Sequence, residues 1–416
     1  MASNKRELKA YARFDGSGRI VPGSTILRKK MPKVGKWKEV QTYLCCNFVP
    51  IPFISVWRTT TPDESITLPY LIDGEYRGII DWGDGTTSPN SYANRTHTYA
   101  TAGDYTITIT GAVIGFSFWS EGTPTYIRSV TQWGDLKLGN SSGYFAGCLN
   151  LDLSGVIDVL NLNGTTSLNN MFLNCTSLTT INRVNEWDIS GVVNLSYMFE
   201  GASLFNQDLN DWNVSNVVST SHMFNFATSF NGNISNWNVS SVTDMSNMFT
   251  NTAFNQNISG WNVSNVIDMP NMFQLARTFN QPLNSWNVSS VNNMSNMFQG
   301  ANTFNQSLNS WNVSNVITMS RMFLSASAFN GNISPWNVVG VRDMNAMFGA
   351  ASSFNQNISS WNVSNVTDMG DMFNVATSFN QDLSGWCVTN IPSQPLGFRT
   401  GATAWVLPKP VWGTCP

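Results

Sequence analysis

The sequence predicts a mainly β chain with short helical arcs, organised as a solenoid of about ten turns behind a separate strand-rich module. Three observations predict it. A tryptophan returns at 187, 212, 237, 261, 286, 311, 336, 361 and 386, spaced by 25 residues with a single interval of 24. In the same phase stand Phe145, Phe172, Phe199, Phe224, Phe249, Phe273, Phe298, Phe323, Phe348 and Phe373, the first two intervals being 27 residues. Between about 51 and 135 the text alternates apolar and polar residues instead, as half-buried strands do.

Bulk composition supports an elongated array. A chain of 416 residues exceeds what one compact core serves. Hydrophobic residues make up 42% but charged ones only 11%, so solubility rests on Asn, Ser, Thr and Gly. With a net charge of -3 there is no basic surface to neutralise phosphates, which excludes nucleic acid as a partner. The longest apolar run, "LCCNFVPIPFISVW", carries Asn and Pro and falls short of the roughly 20 residues of a membrane helix, so no membrane insertion is expected. The opening "MASNKRELKAYARFDGSG" has neither an apolar h-region nor a small-residue cleavage site.

Four regions follow in order. Residues 1–50 are the most basic, with Lys29, Lys30, Lys33, Lys36 and Lys38 among Gly and Pro, and are expected to be a small β or irregular module. In 51–135, "DYTITITG" sets Tyr105, Ile107 and Ile109 on one face of a strand and Thr106, Thr108 and Thr110 on the other, while "WGDGT" places Asp84 and Gly85 at a tight turn. The repeats occupy 136–386. In the copy from Phe304 to Ala326, a strand is expected around Leu308, and the spacing Val316, Met319, Met322, Phe323, Ala326 suits a helical or 3-10 arc. No such coil can bury its apolar list alone, so each must lie against its neighbours. Asn206, Asn231, Asn255, Asn280, Asn305, Asn330, Asn355 and Asn380 share one position, where a stacked amide can serve backbone groups of adjoining coils. Residues 387–416 form a cap, flanked by Cys387 and Cys415. A disulfide between them would staple the open edge in an oxidising environment.

Candidate sites are few. The column Trp212, Trp237, Trp261, Trp286, Trp311, Trp336, Trp361 and Trp386 is expected to be a structural ladder, each indole packed on the next with its N–H bonded locally. Recognition is expected instead at positions that vary between copies on the arc: His222, Asn247, Asn271, Asn296, Arg321, Ala346 and Asp371. Asp81 and Asp84 suit a turn in which aspartate caps backbone N–H groups. The only histidines are His97 and His222, and no recurring His, Cys or Ser arrangement provides a base and nucleophile, so no enzyme activity, cofactor or metal is expected. Cys148 and Cys175 stand where later copies carry Ala202, Ala227 and Ala276, as core thiols would.

The run "WGDGT" followed by "HTYATAGDYTITITG" resembles the polycystic kidney disease (PKD) domain, which implies an immunoglobulin-like β-sandwich serving as spacer or adhesion module. The pattern "FNQ…WNVSNVT.M..MF..A", over about 140–390, resembles the BspA-type leucine-rich repeats of bacterial and mycoplasma-like surface proteins, and the ending "GWCVTNIPSQP…KPVWGTCP" is similar to that group. This resemblance implies an adhesin. The N-terminal "MASNKRELKAYARFDGSGRIVPGSTILRKKMPKVGKWKEV" resembles a leader of bacteriophage structural proteins. Together they imply a phage virion surface protein, a decoration, fibre or spike, held to other virion proteins by its N-terminal module. The solenoid would meet a host surface protein or glycan, and self-association is also expected. A bacterial cell-surface adhesin and a glycan-degrading enzyme using paired carboxylates are the alternatives.

Overall fold

A computed structural model describes residues 50–416 other than Ser120, together with the backbone of three strands nearer the N-terminus. The chain divides into two compact units, Met1–Ile51 and Pro52–Pro416. In the first, β1 (Lys9–Arg13) lies between β2 (Ile26–Arg28) and β3 (Trp37–Val40), antiparallel to both, with Ala10 opposite Leu27 and Val40. Lys29, Lys30, Lys33, Lys36 and the side chains that an attachment role for residues 1–50 would use lie outside the described residues.

The second unit opens with three sheets. The largest has the order β12 (Ile127–Gln132), β4 (Phe53–Thr59), β10 (Gly103–Thr110), β7 (Ile79–Asp81), β8 (Thr87–Pro89). Beside it are a three-stranded sheet of β13 (Leu136–Lys137), β11 (Val113–Phe116) and β6 (Tyr70–Tyr76), and a pair, β5 (Glu64–Thr67) with β9 (Thr96–Tyr99). Period-two patterning decides which face is inside. Phe53, Ser55, Trp57 and Thr59 of β4 and Ile107 and Ile109 of β10 are buried, whereas Thr106 is exposed. Strand β12 is an edge of its sheet, and its outer side is taken up by the first coil. Asp152 N–H donates to Arg128 O at 2.8 Å and Ile157 N–H to Thr131 O at 3.0 Å, so the edge passes into the repeats instead of facing solvent.

From there the chain is mainly β with almost no helix. Among the described residues only two 3-10 turns occur, Tyr92–Asn94 and Val184–Glu186, so the expected helical arc in each repeat is corrected. Each arc is a run of β-turns. Met322 N–H donates to Met319 O, Leu324 N–H to Arg321 O and Ala326 N–H to Phe323 O, all i to i−3. The intervening N–H groups point along the stack: Arg321 donates to Asn345 O, Phe323 to Met347 O and Ser325 to Gly349 O. Half of the arc's donors thus close turns and half join coils, which satisfies the backbone without a helix. A second correction concerns the strand expected at Leu308. The parallel bridge of that coil is a single residue, Thr318, in the column Ser167, Asn194, Ser219, Asp244, Asp268, Asn293, Thr318, Asp343, Asp368.

Inside the stack run three aromatic columns. Trp311 and Trp336 lie 6.2 Å apart, Phe298 and Phe323 5.6 Å, and Phe304 and Phe329 6.0 Å, each pair within 7° of parallel. Offset ring pairs contribute about 0.5–1.5 kcal/mol each beyond the area they bury. Valine, methionine and alanine columns fill the space between, and one continuous core joins Phe53 to Trp405. At the outer edge the Asn column bonds coil to coil: the side-chain oxygen of Asn280 accepts the N–H of Asn305 at 2.9 Å, and that of Asn305 accepts the N–H of Asn330 at 2.8 Å. The last coil is closed by Phe398 and Trp405, both edge-on to Phe373, and by a disulfide between Cys387 and Cys415.

Candidate binding surface

Most arcs begin at their bridge residue with a side-chain cap, the exception being Asp268, which is followed two residues on by Pro270 and its missing N–H. The carboxylate of Asp343 accepts the N–H of Asn345 at 2.8 Å, and Asp244 accepts that of Ser246 at 2.9 Å. Three residues after the bridge the backbone turns left-handed, and four residues later it does so again. The first left-handed column reads Gly143, Asn170, Tyr197, His222, Asn247, Asn271, Asn296, Arg321, Ala346, Asp371, Gly397. The second reads Gly147, Asn174, Gly201, Phe226, Asn251, Leu275, Gly300, Ser325, Ala350, Val375, Gly401. Gly and Asn recur because a left-handed conformation costs other L-residues roughly 1–2 kcal/mol.

All seven variable positions named from the sequence, His222, Asn247, Asn271, Asn296, Arg321, Ala346 and Asp371, therefore fall in one column, with φ between 51° and 58°. They lie on tight turns and not on a helix. The second column, with the adjacent Glu200 and Asn225, was missed by following one sequence position, and Tyr197, at that same position one copy earlier, by starting the column at His222.

Besides Leu275, two places on this face depart from the Asn and Gly pattern. In the first, Tyr197 and His222 stack with centroids 4.4 Å apart and planes 11° from parallel. The Oγ of Ser221 lies 2.8 Å from His222 Nδ1, and Phe226 is 49% exposed in the second column. Asn225, which stands between His222 and Phe226 in the chain, donates from Nδ2 to Glu200 Oε1 at 2.9 Å, while its buried Oδ1 has no partner. Burial raises the Glu200 carboxyl above its ordinary range against the opposing bond from Asn225, and burial lowers the His222 imidazole against the opposing charge of Asp244. In the second, Arg321 and Asp371 flank Ala346, Gly349 and Ala350 in a shallow cavity of about 340 Å³. Asn374 Nδ2 donates to Asp371 Oδ1 at 2.9 Å.

The other candidate residues lie elsewhere. Trp212, Trp237, Trp261, Trp286, Trp311, Trp336, Trp361 and Trp386 are at most 3% exposed. Their N–H groups reach the preceding coil: Trp212 donates to Val184 O, and Trp386 to Ile358 O, each 28 residues earlier. Cys148 and Cys175 are buried, which pushes both thiols up. Asp81 accepts the N–H of Gly83, and Asp84 accepts from Thr86 N–H and Oγ–H and lies 2.7 Å from His97 Nε2. No group of three His, Cys, Asp or Glu that could hold a metal ion occurs among the described residues.

Stacked coils with a shared core, one open face of turns and a closed end define a mainly β repeat protein. Three overlapping stretches, 139–253, 232–334 and 307–403, match a family described as "Mycoplasma protein of unknown function, DUF285". They span more than half of the sequence, and the chain belongs to that family. No curated protein and no solved structure matches it.

Proposed function

We propose that this is a non-enzymatic binding protein, a BspA-type leucine-rich-repeat solenoid behind a PKD-like β-sandwich, displayed on a surface to contact a host cell, its mucus or its glycans. The reading rests on how each coil divides its residues. Aromatic, valine, methionine and asparagine columns are consumed in holding coil to coil. The left-handed columns carry side chains that differ from copy to copy, among them His222, Asn247, Asn271, Asn296, Arg321 and Asp371. A fold that spends its repeats on rigidity and its variation on one face suits recognition better than turnover.

Display on a bacteriophage particle, with residues 1–50 bound to other virion proteins, is the first setting. The second is a bacterial cell surface, favoured by the family's own description, which names mycoplasma. Mass spectrometry of purified virions and of cell envelopes from the source culture separates them. Surface plasmon resonance of the full chain on immobilised mucin tests adhesion: saturable binding is expected, and none would overturn it. Sustained release of reducing sugar from that mucin, lost on changing one carboxylate, would favour the glycan-degrading alternative.

A further inference from the structure

We propose that the pair of coils around Tyr197 and His222 is a carbohydrate site for an uncharged, hydroxyl-rich sugar unit. The proposal rests on the adhesion reading and names its ligand class and place.

The first support is where the aromatics sit. Most left-handed positions hold Gly or Asn, the residues that accept such a backbone cheaply. Tyr197, His222 and Phe226 take three of the four left-handed positions in two adjacent coils, with only Gly201 keeping to the pattern. Their neighbours show that folding does not require them: Asn170 precedes Tyr197, Asn247 follows His222, and Asn251 follows Phe226 in the same columns. Backbone strain retained where the fold has a cheaper choice points to function.

The second support is chemical complementarity. Tyr197 and His222 stack face to face, and Phe226, four residues after His222 in the second column, is 49% exposed. A pyranose ring offers an apolar C–H face to such rings and hydroxyl donors around its rim. The acceptors for those donors are present. Asn225 is 7% exposed, its amide hydrogen is held by Glu200 Oε1, and its Oδ1 is buried without a partner. An orphaned buried acceptor next to a half-buried carboxylate is costly unless a ligand donates to it.

Charge narrows the ligand further. No Lys or Arg occurs between Arg183 and Arg277, while Glu200 and Asp244 both stand by the site. Sialylated, sulfated and phosphorylated sugars would meet only like charge. The Arg321 and Asp371 cavity, by contrast, offers no aromatic surface.

The test uses the full chain and saturation-transfer NMR with lactose, chitotriose and cellotriose, and sialyllactose as the anionic control. Variants Tyr197→Asn, His222→Asn and Phe226→Asn place at each position the residue its own column carries elsewhere, so the coils keep their conformation, checked by thermal unfolding. At least one uncharged sugar is expected to bind, each variant to weaken it at least tenfold, and sialyllactose to bind more weakly than lactose. No transfer to any uncharged sugar, unchanged affinity in the variants, or a preference for sialyllactose would overturn the proposal. Mucin binding separates its failure from that of the adhesion reading. Binding that survives periodate oxidation of the mucin sugars but not proteolysis of the mucin means a protein partner, and sinks the sugar site alone. Sugar binding without any mucin binding leaves the site standing and sinks adhesion to mucus.

Discussion

The indole N–H of Trp311 donates to the backbone carbonyl of Leu283 at 2.8 Å, across 28 residues and into the preceding coil. One side chain thus joins neighbouring coils twice, by this bond and by stacking on Trp336 at 6.2 Å. The two contributions separate by substitution. Trp311→Phe keeps an aromatic ring but leaves the Leu283 carbonyl without its side-chain donor, and is expected to cost about 1–3 kcal/mol. Trp311→Ala also opens a cavity and is expected to cost about 3–5 kcal/mol. Denaturant unfolding reads both: no loss in Trp311→Phe would mean that the hydrogen bond contributes nothing, and equal losses that the retained ring contributes nothing.

Left-handed positions give the opposite sign. Val375 is half exposed with φ of 57°, a conformation that a β-branched residue accepts poorly. Val375→Asn is expected to stabilise the chain by about 1 kcal/mol. Gly300→Val, in the same column, is expected to destabilise it by at least as much, since a Cβ at Gly300 would lie 2.7 Å from Leu275 Cδ2. A drop in denaturation midpoint for Val375→Asn would contradict the left-handed assignment.

The period of the repeat and its mainly β character were legible in the sequence, because a core column must recur wherever coils stack. The arc was misjudged for a physical reason. Consecutive β-turns bring Val316, Met319, Met322, Phe323 and Ala326 inward at the same spacings a helix would use, and apolar spacing reports which side chains are inside, not the sign of φ. A better signal lay beside it. Asn247 with Asn251, Gly143 with Gly147 and Gly397 with Gly401 repeat turn-forming residues four apart, which no helix wants. The candidate site was half visible. Variation picked out His222, but Tyr197 and Glu200 become its neighbours only when coils about 25 residues apart are laid side by side.

The end of the stack should depend on its disulfide. Cys387 and Cys415 close a loop with a sequence separation of 28, and a cross-link of that length contributes about 3–4 kcal/mol by the chain-entropy estimate. Cys387→Ala with Cys415→Ala is expected to lower the melting temperature and to expose the cap first, read as faster amide exchange at Phe398 and Trp405 than at Trp261. Uniform exchange along the stack would show that the cap does not fray. Cys148 and Cys175 behave differently. Their buried thiols, held protonated by burial, are expected to resist alkylation in the folded chain and to label only on unfolding, mapped by peptide mass spectrometry.

Acid should weaken the turn that carries Asp84. Burial alone would raise this carboxyl, but hydrogen bonds from Thr86 and His97 outweigh it and bring it down to about 2. An unfolded aspartate titrates near its ordinary value of about 3.9. The folded form therefore binds its proton less readily than the unfolded one. Its contribution to stability is complete above about pH 4 and is lost as pH falls towards 2. Asp84→Asn removes the charge-assisted bonds and is expected to cost on the order of 1–2 kcal/mol at neutral pH. It should also flatten the acid limb of stability against pH between 4 and 2, measured as the denaturant midpoint at each pH. A variant that loses stability at neutral pH but keeps the wild-type slope in acid would place the titration on a carboxylate other than Asp84.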